Sequence, residues 1–383
     1  MKYLTRYLVT TAIIGLCVAS AAPVRADDHD AFVQTNLVSG TAPPPNKVPA
    51  PPALHTDNQL LNAWGVAFFP NGPFWIADNN AGLATLYDGE GVKQATVVTI
   101  PPSAHEPADT QSAPTGIVWN PDEAHANQGF LIPAGAGGNG APAIFIFDSE
   151  EGTISAWNGG NQAFRVVDNF NVPPSPNPAL NGSVYKGLAL GTNATGNFLF
   201  ATNFRQGRID VFDSNFAPAQ LDGSFSDPKI PADFAPFGIR NINGELWVTY
   251  AMQDAARHDD VAGPGNGFVD IFDTDGHLLS RFATRGHLNS PWGLALVPEG
   301  FGSFGGDVLV GDFGDGRINV FSLDGRFVDQ LEGANHKPIT IEGLWTLTFG
   351  GGLHSSPETL YFAAGPADEA NGLFGRIDPQ QKE

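Results

Sequence analysis

Six glycines, Gly65, Gly116, Gly187, Gly238, Gly293 and Gly343, each open a short aliphatic run, and two more such runs follow each of them. Successive glycines lie 51, 71, 51, 55 and 50 residues apart. The clearest unit spans Asn289 to Gly325: PWGLALV, DVLVGD and GRINVFS, then a Leu-Asp-Gly turn and RFVDQL. Short β-branched and aliphatic runs bounded by Gly and Asp read as strands, and the turn reads as a hairpin. A single four-stranded unit cannot bury both of its faces, so repetition at this period implies that like units stack. The expected fold is all-β, a six-bladed β-propeller.

The other units follow the template. The first reads AWGVAFF, FWIADN, GLATLYDG and the second PTGIVW, GFLIPA, AIFIFDS. The third is YKGLAL, NFLFATNF, GRIDVFDS and the fourth PFGIR, GELWVTY, GFVDIFDTDG. The sixth is IEGLWTLTF, TLYFAAG, GLFGRIDP. Blades then start near 63, 114, 185, 236, 291 and 341. The long interval holds an Asn- and Pro-rich stretch, 158–182, which reads as a surface loop. Residues 378–383 are too few and too polar for a fourth strand in unit six. Upstream, AFVQTNLV is a strand without a partner, so Phe32 to Val38 is expected to complete blade six and close the ring.

With 46 Gly and 31 Pro the chain is as turn-dense as this fold requires. Lys2 and Arg6 precede an apolar stretch, Leu8 to Ala22, too short for a comfortable membrane span. Residues 1–26 read as a signal peptide cleaved after Ala26, leaving 27–383 as one exported, periplasmic or extracellular, propeller domain. Cys17, the only cysteine, follows Leu16 rather than the small residue of a lipoprotein signal, so no membrane anchor is expected. The cleaved chain would hold no disulfide and depend on core burial and ring closure. Its net charge of −24, against −21 for the whole chain, disfavours nucleic acid and anionic lipid as partners.

The unit SPWGLALV–DVLVGDFGDGRINVFSLDG resembles NHL-type propeller repeats. With LNAWGVAFFPNGPFWIADNNAGLATLYDGEG, GLWTLTFGGG and LYFAAGPADEANGLFGRI, the whole chain resembles a family of exported bacterial propeller proteins with no assigned activity. The resemblance implies six blades and export. Broader relatives of this kind include metal-dependent lyases, lactone hydrolases and binding modules, so it selects no activity.

Loops that enter first strands and loops that join second to third strands crowd one mouth of the axis. His55, His105, His287 and His336 all precede first strands, by 10, 11, 6 and 7 residues from the marker glycines. Together they could hold Zn²⁺, as histidines do in an NHL-like amidating lyase class; separately they are ordinary loop residues. Asp78, Asn203 and Asp312 recur at the ends of second strands. With Glu342 they could form an oxygen set for Ca²⁺ or a ligand, resembling the central set of lactone hydrolases, or serve only as turn residues. The residues before the marker glycines, Trp64, Thr115, Lys186, Phe237, Trp292 and Glu342, make either an aromatic ligand rim or an axial plug. Cleavage after Ala26 would also expose Asp27-Asp28-His29, a Cu²⁺ or Ni²⁺ chelate. No Gly-x-Ser-x-Gly, His-Glu-x-x-His or phosphate loop occurs. The expected function is a scaffold binding a small molecule or protein at this mouth, with a metal-dependent lyase or hydrolase as the alternative.

Overall fold

Six small sheets form a ring in this computed structural model, which describes residues 30–41, 49–121, 129–175, 177 and 180–380. The expected signal segment, Cys17 and Asp27-Asp28-His29 lie outside the described residues. The first strands touch in cyclic order, blade six meeting blade one. One apolar cluster fills each of the six interfaces between neighbouring blades. The alternating strands deliver aliphatic and aromatic side chains to those interfaces, as sheet-on-sheet packing demands.

Blade one is Ala63–Ala67, Phe74–Asp78, Leu83–Tyr87 and Lys93–Thr99. Blades four and five also have four strands, starting at Phe234 and Pro291, and blade three has three among the described residues. Blade six is Leu344–Phe349, Leu360–Ala364 and Gly372–Pro379, completed by Phe32–Gly40 from the start of the described chain. That strand pairs antiparallel with the third strand from Phe32 opposite Pro379 to Gly40 opposite Gly372. Phe32 is buried against Phe301 and Phe304, with ring centroids 4.9 and 5.9 Å away. The expected closure of the ring is therefore the observed one.

Blade two corrects the sequence reading. Its strands are Pro114–Trp119, Phe145–Ser149, Thr153–Trp157 and Phe164–Asp168. The run IFIFDS is thus the second strand rather than the third, and the stretch 158–182 contains the fourth. GFLIPA lies in the connection between first and second strands, held by an isolated bridge of Leu131 to Pro142. Its apolarity has another cause: Phe130 and Ile132 are buried and join the cluster between blades two and three.

Five of the six marker glycines, all but Gly343, lie in a ring around the axis. A Cβ on Gly65 would stand 2.5 Å from the Thr115 carbonyl oxygen, and one on Gly238 would stand 2.4 Å from that of Trp292. Only glycine permits this approach. In blade six the position belongs to Thr346, because Gly293 faces the backbone of Trp345 to Leu347 there. The Thr346 hydroxyl donates to the Trp64 carbonyl at 2.7 Å, which accommodates its side chain. Gly343 sits outside the strand with a positive φ of 67°, so blade six begins at 344 rather than near 341.

Candidate functional site at the upper mouth

We call the end where first strands begin the upper mouth. Four of the residues just before the glycine ring, Trp64, Phe237, Trp292 and Trp345, close the axis there with their neighbours. Trp64, Phe204, Phe237 and Trp345 are buried in one cluster, with Trp292 and Phe313 packed against it. Trp345 stacks on Trp64 at 3.5 Å and on Phe313 at 3.9 Å. The Trp292 indole N–H donates across the axis to the Lys186 carbonyl at 2.7 Å. This is a packed plug. The shifted register of blade six puts Trp345, not Glu342, into the ring. Glu342 is exposed, and its carboxylate accepts the Ala367 N–H at 3.0 Å.

Asp78, Asn203 and Asp312 are fully buried, but each turns toward the third strand of its own blade. Asn203 donates to Asp210 at 2.8 Å and Asp312 accepts from Asn319 at 2.7 Å, while Asp78 lies beside Thr85. In all three blades the partner stands seven positions later, a diagonal cross-strand contact on one sheet face. Burial, before any other cause, pushes the carboxyls of Asp78 and Asp312 well above the usual range. The residues that turn toward the mouth come one position later: Asn79, Phe204 and Phe313, with Glu150 in blade two. Alternation in a strand makes a one-residue offset a change of face.

The four histidines ahead of the first strands do not converge. His55, His105, His287 and His336 are all exposed. His287 stacks on Phe327 at 3.7 Å, His105 lies 5.9 Å from Phe170, and none of the four joins a group of three potential metal ligands among the described residues. The reason is the width of a blade. Each enters from an outermost strand, and three strand spacings of about 4.8 Å separate that strand from the axis.

Above the plug lies a different cluster. Lys186, on the first strand of blade three, is 2 % exposed, and its ammonium lies 5.2 Å from the centre of the Trp64 ring. It donates to Glu150 of blade two, and to Asp259 of blade four at 3.2 Å. The His258 Nδ1 is 2.9 Å from that Asp259 carboxylate. On the other side Asn79 donates to Glu150 at 3.0 Å. Asn62 donates to Asn79 and to Glu369, both at 3.1 Å, and accepts the Trp345 indole N–H at 2.9 Å. The network spans blades one, two, three, four and six. Glu150, His258 and Asp259 can bring one ligand atom each to within 4.8 Å of one another. Glu150, Arg205 and His258 also line a cavity of about 390 Å³ between blades two, three and four, together with Phe170, Asn181 and Ser183. The Arg205 Nε is buried without a partner.

Electrostatics ties the cluster to the lysine. Burial lowers the Lys186 pKa, but the charges of Glu150 and Asp259 outweigh it, and the net shift is upward. The contact with His258, ahead of the lysine, holds Asp259 far below the usual carboxylate range. Burial first, and the Glu150 charge second, push Glu369 from 4.5 up to about 7. Burial likewise pushes Asp148, beneath the mouth, from 3.8 up to about 7. Both folded values lie above the unfolded ones, so the folded chain holds extra protons between about pH 4 and 7. Stability from these two groups is present at the acid end of that window and is lost as pH rises through it. Urea denaturation should show stability falling between pH 5 and pH 8, by on the order of 3 kcal/mol for Glu369. Glu369→Gln should flatten that part of the slope.

Glu150, Arg205, His258, Asp259 and Glu369 were not legible as site residues in the sequence. The misplaced strands of blade two hid Glu150 by assigning it to a turn at the other end of the blade. His258 and Asp259 sit in the long connection 253–267 of blade four, whose acid-rich QDAARHDD was the available signal.

Two uncharacterised proteins of Acanthamoeba polyphaga mimivirus are similar to this chain. One is 33% identical over 336 residues, covering 86% of this chain and 83% of its own length. The other is 34% identical over 337 residues, covering 86% and 78%. The chain belongs to the family of these mimiviral proteins. No protein-family model matches it. Its relatives here are thus viral and without assigned activity, where the sequence resemblance pointed to bacterial proteins. Among solved structures, virginiamycin B lyase from Staphylococcus aureus aligns over 92% of this chain and 100% of its own, with a TM-score of 0.51 and 16% identity. A protein of unknown function from Bacteroides thetaiotaomicron aligns over 91% and 77%, with a TM-score of 0.51 and 12% identity. Identities this low establish a shared fold and nothing about activity.

Proposed function

We propose that this family member binds a small polar molecule at the upper mouth, in the cavity between blades two, three and four. What supports the reading is the convergence of Glu150, Arg205 and His258, from three blades, on one cavity. Ligand sites are typically concave, largely preformed and marked by a few convergent polar groups. Arg205 supplies the recognition charge: burial lowers its pKa, and its Nε has no partner. A carboxylate or a similarly anionic group on the ligand would complete it. Lys186 is the resident cation that holds Glu150 and Asp259 in place.

Thermal denaturation with sugar acids, amino acids and dipeptides at millimolar concentration tests this. At least one class should raise the midpoint as ligand linkage requires, and Arg205→Gln should remove the effect. No shift with any class, or an unchanged shift in the variant, would refute the reading.

A second reading, a metal-dependent lyase or hydrolase, is favoured by the approach of Glu150, His258 and Asp259. Two carboxylates and an imidazole are a reasonable donor set for Zn²⁺ or a harder divalent ion. A bound metal there would supply Lewis-acid polarisation. The shared fold with a lyase gives this reading a precedent but no residue. Against it, the Lys186 ammonium already bonds two of the three donors.

A further inference from the structure

The axis holds a second site, below the plug. The portions of the first strands beyond the glycine ring enclose a partly open cavity of about 360 Å³ at the lower mouth. Val66, Phe68, Ile117, Leu190, Leu294 and Leu347 supply apolar side chains to its walls, between exposed polar groups of the strands. One charged residue lines it, Arg240 on the first strand of blade four. One guanidinium nitrogen donates to the carbonyls of Leu294, at 3.1 Å, and Leu347, at 2.7 Å; the other terminal nitrogen donates to the Thr348 hydroxyl at 3.1 Å. These partners stand on blades five and six, so the side chain reaches across the channel. All of them are neutral. Among the described residues no carboxylate forms an ion pair with Arg240, and burial alone pushes its pKa down to about 10.

Arg240 is half-buried, and a partly desolvated charge without a counter-charge is costly, since carbonyl dipoles offset only part of the desolvation. The other polar side chain of note, Asn241, is already used: it donates to the Leu190 carbonyl and accepts the Gly244 N–H, both at 2.9 Å. Arg240 is therefore the charged group in this cavity without a counter-charge among the described residues, and apolar side chains stand beside it. We propose that the lower axial cavity binds a small monocarboxylate with an apolar body, its carboxylate on Arg240 and its hydrocarbon against the first strands. An arginine paired with a carboxylate in an apolar pocket combines charge-assisted hydrogen bonding with hydrophobic burial. The site is independent of the upper mouth, from which the aromatic plug separates it.

Calorimetric titration with benzoate, octanoate and the neutral benzamide tests the proposal. At least one of the two carboxylates should bind, benzamide at least about tenfold more weakly than benzoate, and Arg240→Gln should weaken carboxylate binding by at least about tenfold. Arg240→Gln also removes cross-blade hydrogen bonds and can fail to fold. Thr348→Asp provides the second variant, giving Arg240 an internal counter-charge, and should abolish carboxylate binding in a folded chain. The proposal is overturned by the absence of carboxylate binding at millimolar concentration or by equal affinity for benzamide. Loss of binding in Arg205→Gln rather than in the Arg240 and Thr348 variants would also overturn it, placing the ligand at the upper mouth.

Discussion

Deletion of Phe32–Gly40 is expected to abolish cooperative folding. The strand supplies the fourth position of blade six along its whole length, opposite Gly372–Pro379. It also delivers Phe32 to the interface of blades five and six, and Leu37 and Val38 to that of blades six and one. Truncating one buried Phe to Ala costs about 3–5 kcal/mol, and native domains are stable by only about 5–15 kcal/mol. Losing three buried side chains and a strand's hydrogen bonds therefore exceeds what a ring without disulfides can lose. Circular dichroism during heating should show no cooperative transition for the deleted chain, and a drop on the order of 3 kcal/mol for Phe32→Ala. A deleted chain that melts as the intact one does would show that the ring closes by other means.

Lys186→Met should be the most damaging single change at the upper mouth. The ammonium is buried, and two carboxylates depend on it. Removing one partner of a buried pair costs about 3–5 kcal/mol, because the remaining charges stay behind. Part of the loss should return below pH 6, where Glu369, already pushed up to about 7, takes a proton. Part should also return with millimolar Ca²⁺, since Glu150, Asp259 and Glu369 then offer oxygen ligands without a resident cation. Chemical denaturation at pH 5 and pH 8, with and without Ca²⁺, reads both effects. A variant as stable as the parent at pH 8 would remove Lys186 from its organising place.

The ring was readable in the sequence because its signal repeats. Third-strand runs such as RIDVFDS and FVDIFDT carry the same alternation, and the unpaired AFVQTNLV could be matched to the incomplete blade six. The site was less readable because it depends on single-residue register. Asp78, Asn203 and Asp312 are conspicuous because they recur, yet recurrence marks the cross-strand contact each blade needs. The residues that differ between blades, Asn79, Glu150, Phe204 and Phe313, face the mouth. GFLIPA read as a strand since a buried connection is as apolar as a strand, and that displaced Glu150. Gly343 supplied a plausible marker three residues before Thr346, and so Glu342 took the place that belongs to Trp345. The histidines were placed in the right loops but at the wrong radius, because a loop entering a first strand begins at the rim of the ring.

On the proposed reading, the Lys186 ammonium stands in for a divalent ion beside Glu150 and Asp259 and leaves the adjoining cavity for an organic ligand. Calorimetric titration of chelator-treated protein with Zn²⁺ and Ca²⁺, alongside Lys186→Met, tests it most directly. The parent chain should show no tight divalent site and the variant one. One equivalent of tightly bound Zn²⁺ in the parent, lost in His258→Ala, would contradict it and establish the metal centre instead.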